Sequence, residues 1–165
     1  MTVSPCWVLG TAQLGSAYGV NNREGELSEA AAFEILDAAW EGGVRVLDTA
    51  EAYGSSQAII GAYQKEHPDR SFRICSKLSA GFGGEGLDLE AELEDRAVSS
   101  LNELGASSFF AYYLHSFEMC RDEKLAEALQ ALKRNSLAES IGVSLYEPQE
   151  LDYLITHAKG TVDVV

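Results

Sequence analysis

The sequence is short of basic residues and of long apolar runs, and each shortage excludes a class of protein. Lysine and arginine number 12 against 26 aspartates and glutamates, which gives a formal net charge of −14 at pH 7. Nucleic acids and anionic membranes attract proteins through basic patches, so we expect neither as a partner. No apolar run reaches the roughly 18 residues of a membrane-spanning helix, and the first residues lack a signal-peptide pattern. The composition therefore predicts a cytoplasmic protein.

Cysteine is also scarce, which excludes a disulfide framework and a zinc site. Cys6, Cys75 and Cys120 are widely separated and show no CxxC or Cys/His spacing. We expect buried thiols and no bound metal. The chain has 165 residues and 46% hydrophobic content, enough for a sizeable core. We therefore expect residues 1–165 to form one domain.

Apolar stretches alternate with longer segments of helical period along the whole chain. The predicted strands are Trp7–Leu14, Val44–Ala50, Phe72–Leu78, Phe109–His115 and Ser140–Leu145, and a sixth begins at Val162–Val165. The predicted helices are Ser28–Trp40, Ser55–Lys65, Asp88–Gly105, Glu123–Arg134 and Glu147–Ala158. This alternation is typical of βα repeats that build a parallel sheet.

Two architectures carry such a sheet, the open doubly wound sheet and the (β/α)₈ barrel. A dinucleotide-binding open sheet places G-x-G-x-x-G in its first βα turn, whereas Gly10–Gly15 has glycines only at its two ends. The sequence thus favours the barrel. Because a complete barrel takes about 250 residues, we expect an incomplete α/β barrel of TIM type, with five to six of its eight βα units. Its exposed edges predict self-association or a covering partner.

Four ionisable residues fall at the carboxyl ends of three neighbouring predicted strands. Asp48 lies near the end of the second strand, and Tyr53 in the loop that follows it. Lys77 ends the third strand and His115 ends the fourth. Each alone could be an ordinary strand-end or loop residue. Barrel enzymes place their chemistry at these strand ends, so the four together indicate an active site.

The residue types at these positions are those of carbonyl reduction. Asp48 and Lys77 in apolar strands cost free energy unless they pair. A buried ammonium favours the phenolate of a nearby tyrosine, which makes Tyr53 the candidate general acid. His115 could hydrogen-bond a substrate oxygen. Two alternatives stay open: a non-catalytic half-barrel assembly or binding module with an idle tetrad, and an isomerase or lyase with Lys77 as a Schiff-base nucleophile.

The segments around these residues resemble the aldo-keto reductase family. They are LGTAQLG at Leu9–Gly15, LDTAEAYG at Leu47–Gly54, SK at Ser76–Lys77, LHS at Leu114–Ser116 and IGVS at Ile141–Ser144. The most specific is D-T-A-x-x-Y-G. The resemblance implies NADPH-dependent reduction of an aldehyde or ketone, with a sugar-related carbonyl compound as one candidate. It makes Tyr53 the proton donor, Lys77 and Asp48 its tuning pair, and His115 the substrate-orienting group.

The resemblance also implies an NADP(H) site, of which Thr11, Asp48 and Ser144 match positions around the nicotinamide and its ribose. Two residues depart from the family pattern. Leu145 stands where many members have an asparagine, and Gln57 replaces a frequent glutamate, which we interpret as helix chemistry. The family's phosphate-binding part belongs to strands beyond the sixth. We therefore expect this chain to lack it and its activity to be impaired.

Overall fold

The computed structural model describes residues 7–20, 22, 23, 25–82, 88–157 and 162–165. The strands are β1 (Val8–Gly10), β2 (Val46–Asp48), β3 (Arg73–Leu78), β4 (Phe109–Leu114) and β5 (Ala138–Val143). The helices are α1 (Glu29–Glu41), α2 (Ser56–Glu66), α3 (Leu89–Leu104), α4 (Phe117–Cys120), α5 (Glu123–Arg134) and α6 (Pro148–His157), with one 3₁₀ turn at Ala12–Leu14. Cys6 and Ala158, to which predictions were attached, lie outside the described residues.

The five strands form one parallel sheet in the order β1-β2-β3-β4-β5. A doubly wound sheet reverses its strand order at a switch point, and this order does not reverse. Gly10 pairs with Asp48, and Lys77 pairs with Tyr113, so the ends of successive strands lie level. The predicted α/β sheet of barrel type is confirmed.

The two faces of the sheet differ in what packs on them. Leu47, Ile74 and Leu114 point to the helices and join one large core with helix residues. The opposite face carries a smaller cluster of strand residues, centred on Val46 and Cys75. Because successive side chains of a strand alternate between faces, the helices cover one face, and the other face corresponds to the interior of a barrel.

Capping residues explain where the helices begin and end. The Asp88 side chain accepts a hydrogen bond from Ala91 N and starts α3, which ends at Gly105 in the left-handed conformation with φ of 65°. Ser28 caps α1 by accepting from Ala31 N. These three residues are end points of the predicted helices. Helix α5 also has its predicted bounds.

Every strand differs from its predicted bounds: β3 and β4 are one residue shorter, β2 is two residues shorter at each end, and β1 and β5 differ as follows. The predicted first strand runs to Leu14, but β1 ends at Gly10 because Leu14 N donates to Thr11 O and closes a 3₁₀ turn. The predicted fifth strand begins at Ser140, but β5 begins at Ala138. A tight turn after α5 ends immediately before that residue, so pairing with β4 starts two residues early.

The last described residues continue the parallel pattern. Val164 forms a parallel bridge with Gly142 of β5. Asp163 accepts hydrogen bonds from Ile141 N at 3.0 Å and from Lys133 Nζ at 2.8 Å, which holds the segment against β5 and α5. This single bridge lies where the sequence predicts the start of a sixth strand. Within the described ranges, no helix has the length and apolar character needed to cross a membrane.

Candidate active site

The four predicted residues meet at the carboxyl ends of β2, β3 and β4. Asp48 is the last residue of β2, Lys77 is the penultimate residue of β3, and His115 follows β4. Tyr53 lies in the loop between β2 and α2. A cleft of about 400 Å³ opens above them, a volume typical of a small-molecule site. Its lining consists of Gly10, Thr11, Ala12, Gln13, Tyr18, Asp48, Tyr53, His115 and Tyr146.

The Lys77 ammonium connects the members of this group. It donates to Asp48 Oδ1 at 2.5 Å, to the Thr49 carbonyl at 3.0 Å and to Tyr53 Oη at 3.3 Å. The residue is 7% exposed. An ammonium has three protons, and all three have acceptors. A Schiff-base nucleophile needs a free neutral amine, so this arrangement disfavours the isomerase or lyase alternative.

The position of Tyr53 depends on a close approach of two loops. Gly54 has φ of 57°, and a Cβ on it would collide with the Gly15 carbonyl. That carbonyl accepts a hydrogen bond from Ser55 N at 3.1 Å. The glycine that follows Tyr53 in the motif is therefore required by both conformation and space. It lets the loop that carries Tyr53 lie directly on the loop after β1.

His115 completes the group from the neighbouring strand. Its ring meets the Tyr53 ring edge to face, with centroids 6.0 Å apart. Burial and then the Lys77 ammonium lower the pKa of His115, although the carboxylates of Asp48 and Glu51 oppose this. The imidazole is therefore neutral at neutral pH. Its Nδ1 is buried and has no hydrogen-bond partner among the described residues.

Thr11 and Ser144, two of the predicted cofactor-binding residues, make different contacts within the protein. Thr11 is fully buried, and its hydroxyl donates to the Asp48 carbonyl at 2.9 Å and accepts from Ser56 Oγ at 2.9 Å. Its side chain thus anchors the end of β1 to β2. Ser144 lies just after β5, where its N–H donates to the Leu114 carbonyl at 3.0 Å. Their contacts with a cofactor stay predictions.

Two tyrosines of the cleft were not predicted from the sequence. Tyr18 follows the first 3₁₀ turn and Tyr146 follows β5, and both are largely exposed at the cleft. Aromatic residues soon after the ends of predicted strands were the available signal. Leu145, between Ser144 and Tyr146, packs against the main core.

The structure corrects the interpretation of Gln57 as helix chemistry. The residue is 4% exposed, and its Nε2 donates to Ser76 Oγ and to Ser100 Oγ, both at 2.8 Å. Gln57 therefore ties α2 to β3 and α3 beneath the site. An amide suits this position because one nitrogen supplies two protons to two hydroxyls.

The cleft offers room for a planar ring. A Cβ on Gly10 would meet nothing within 4 Å, so the end of β1 leaves open space in the cleft. The Asp48 carboxylate and the His115 ring border that space. These features fit the nicotinamide end of a dinucleotide. Among the described residues, no group of three or more His, Cys, Asp or Glu side chains could hold a metal ion.

Comparison with known proteins agrees with this geometry. A model of the Aldo/keto reductase family matches residues 8–165. An aldo-keto reductase of Mycolicibacterium vanbaalenii is 33% identical over 134 residues, which cover 79% of this chain and 46% of that protein. The chain spans about half the length of the curated relatives it matches.

Solved structures of similar fold include two aldo-keto reductases. One, from Bacillus halodurans in its holo form, has a TM-score of 0.68 at 22% identity, over 90% of this chain and 48% of that one. Another, from Klebsiella pneumoniae in complex with NADPH, has a TM-score of 0.66 at 20% identity, over 90% and 49%. At such identities the likeness shows the fold alone. The family match over residues 8–165 shows more: this chain belongs to the aldo/keto reductase family.

Proposed function

We propose that this site reduces an aldehyde or ketone with NADPH, and that Tyr53 donates the proton. The observation that supports this most is the contact chain Asp48–Lys77–Tyr53 at the cleft, with the Tyr53 hydroxyl 3.3 Å from the Lys77 ammonium. The family supplies the reaction class. The Klebsiella pneumoniae relative in complex with NADPH supports the choice of cofactor.

NADPH, when bound, supplies the hydride that the carbonyl carbon receives. Gly10, Thr11 and Asp48 would hold its nicotinamide end, because they line the part of the cleft at the ends of β1 and β2. Cofactor affinity is expected to be impaired in this chain. The net charge of −14 repels a phosphate-bearing anion unless local cationic groups or helix N-termini offset that repulsion.

The protein's own residues handle the proton. As the carbonyl oxygen gains negative charge, the Tyr53 hydroxyl donates its proton to that oxygen, which completes the alcohol. The Lys77 ammonium, 3.3 Å away, stabilises the phenolate left behind. The Asp48 carboxylate and the Thr49 carbonyl hold the ammonium in place. The phenolate then regains a proton from water.

His115 orients the substrate in this proposal. Its buried Nδ1 has no acceptor within the described residues, so we assign the proton of the neutral ring to Nε2. That N–H would donate to the same carbonyl oxygen that receives the Tyr53 proton. Two donors from neighbouring strands would then hold the oxygen in one position, which favours attack on the carbonyl carbon.

A fluorescence titration with NADPH, followed by turnover of 4-nitrobenzaldehyde, tests the proposal. We expect saturable binding and a rate that falls about 10²- to 10⁴-fold in Tyr53→Phe, the range for losing a general acid. Tyr153→Phe is the matched control, because it removes a hydroxyl on α6 away from the cleft. Absence of saturable binding at millimolar cofactor, or an unchanged rate in Tyr53→Phe, would sink the proposal for this chain.

We further propose that the chain self-associates, or binds a covering partner, along β1. In the described part of the sheet β1 pairs with β2 alone, and Trp7 just before it and Val8 on it are 69% and 50% exposed. An unpaired apolar edge strand is a template for another chain. Light scattering should show species larger than a monomer, and fewer of them in Val8→Lys, which places a charge on the edge. A monodisperse wild-type monomer contradicts self-association.

A further inference from the structure

The loop that joins Asp48 to Tyr53 contains a second acidic residue, Glu51. It occupies the first variable position of the D-T-A-x-x-Y-G motif, to which neither the sequence pattern nor the proposed chemistry assigns a role. Its side chain is nevertheless only 11% exposed. A carboxylate this far out of water needs donors to offset its lost hydration.

Three donors from three different segments reach the Glu51 carboxylate. Tyr112 Oη of β4 donates to Oε1 at 2.8 Å. The backbone N–H of Ser79, just after β3, donates to Oε2 at 3.2 Å. Arg96 Nε of α3 donates to the same oxygen at 3.1 Å. The side chain therefore joins the β2–α2 loop to β3, β4 and α3 at once.

The Tyr112 contact is the most deeply buried of the three. Tyr112 is fully buried, and burial followed by the nearby Glu51 carboxylate raises its pKa, so its hydroxyl keeps its proton and can only donate here. Without Glu51 that hydroxyl would lack its acceptor in the core. Arg96 is 48% exposed, and such exposed ion pairs contribute little. The Tyr112 and Ser79 bonds thus carry most of the attachment.

The backbone of Glu51 is tied to the catalytic lysine's strand as well. Glu51 N donates to the Lys77 carbonyl at 3.3 Å, and Tyr53 N donates to the Ala50 carbonyl at 3.0 Å. Glu51 therefore adds one backbone bond and one side-chain clamp to the bonds that Lys77 Nζ makes with the Thr49 carbonyl and Tyr53 Oη. Movement of the clamp would move the Tyr53 hydroxyl relative to the ammonium.

We propose that Glu51 is a positioning residue of the candidate active site: its carboxylate clamps the β2–α2 loop to β4 and α3, and so holds Tyr53 against Lys77 and His115. This inference rests on the proposed function. A purely structural anchor would change the free energy of unfolding and nothing else. A positioning residue also changes the Tyr53–His115 contact and the electrostatic surroundings of His115.

His115 can report both effects by NMR. The charged groups that face it are Lys77 of β3, Asp48 of β2 and Glu51 of the loop, and the Tyr53 ring lies edge to face against it. Glu51 raises the pKa of His115 against the larger lowering effects of burial and of Lys77. Loss of its negative charge should therefore lower the pKa of His115 further.

The experiment compares Glu51→Gln, Glu51→Asp and the wild-type chain. We expect Glu51→Gln to weaken the nuclear Overhauser contacts between the Tyr53 and His115 rings and to lower the His115 pKa measurably. Glu51→Asp keeps the negative charge, so the pKa of His115 in this variant should equal the wild-type value. Glu103→Gln is the control, since it removes a carboxylate that borders the same small recess beside Arg96. It should change neither measurement.

Unchanged ring contacts and an unchanged His115 titration in Glu51→Gln, with lower thermal stability only, would overturn the proposal. If that variant does not fold, Tyr112→Phe decides: it removes one donor to the clamp without changing side-chain shape. Wild-type ring contacts in Tyr112→Phe would then overturn it. Neither measurement needs cofactor or turnover, so a failure to bind NADPH counts against the proposed function and leaves this test standing.

Discussion

Two buried polar clusters lie on opposite faces of the sheet at the end of β3. They differ in the hydrogen-bonding capacity that their side chains retain. Toward the helices, the Gln57 amide donates both its protons, to Ser76 and to Ser100. Toward the cleft, Lys77 likewise uses all its protons, but Tyr53 can still donate and His115 keeps a buried nitrogen without a partner among the described residues.

The difference teaches that burial alone does not identify a functional cluster. Native structures leave few buried polar groups without partners. The helix-side cluster follows this rule, as does the group in which Ser56 Oγ donates to Thr11 while Thr49 shares a hydrogen bond with it. The tetrad differs from these two clusters because it lies at a cleft and retains hydrogen-bonding capacity. Substitutions in the two clusters should therefore affect different properties.

The largest effect is expected from Lys77→Met. The substitution leaves the Asp48 carboxylate and the Thr49 carbonyl without their donor. We expect the free energy of unfolding to fall by about 2–4 kcal/mol. This is at or below the cost of breaking a fully buried ion pair, because the Asp48 side chain is one-third exposed. Urea denaturation measures it. The same loss in an Asp48→Asn background would show that the two residues are not coupled.

A smaller effect on stability, with none on the site, is expected from Gln57→Leu. It deprives the Ser76 and Ser100 hydroxyls of a donor, which should cost about 1–2 kcal/mol. Chemical shifts of His115 and Tyr53 should stay at their wild-type values. Shifts as large as those in Lys77→Met would erase the distinction between the clusters.

The smallest effect is a pH dependence that belongs to His115. Because its pKa is lowered in the folded state, the unfolded chain binds the proton more readily. The resulting stability is fully present above about pH 6.5 and is lost as the pH falls through the folded-state pKa. Urea midpoints from pH 7.5 to 5 should therefore fall less in His115→Asn than in the wild type. His157→Asn, at an exposed position on α6, is the control.

Much of the fold could be predicted because several local patterns have one physical meaning. Asp88 is a residue type favoured at helix N-termini, and Gly105 supplies the left-handed residue that ends the helix. Strand ends were less predictable. The 3₁₀ turn that ends β1 is anchored by bonds from Thr11 to Asp48, 37 residues away in the chain, and α4 is too short to show a period. Local sequence contains neither kind of information.

The residues of the candidate site also divide into those that could be predicted from the sequence and those that could not. Asp48, Lys77 and His115 could be predicted because a charged or titratable residue at the end of an apolar strand is unusual. Glu51 and Tyr146 could not, because acidic and aromatic residues are common in loops. Their positions at the site follow from the meeting of loops that are distant in sequence.

Ser76 and Lys77 are adjacent in β3, yet one contacts a helix and the other contacts Asp48 and Tyr53, which line the cleft. Pairing with β2 and β4 sets their alignment from both sides. A one-residue slip of β3 would turn the ammonium into the apolar layer under the helices and place a serine at the cleft. Such a molecule would lose its core and its tetrad together. Cellular quality control that recognises exposed core residues would therefore also remove chains whose site is misassembled.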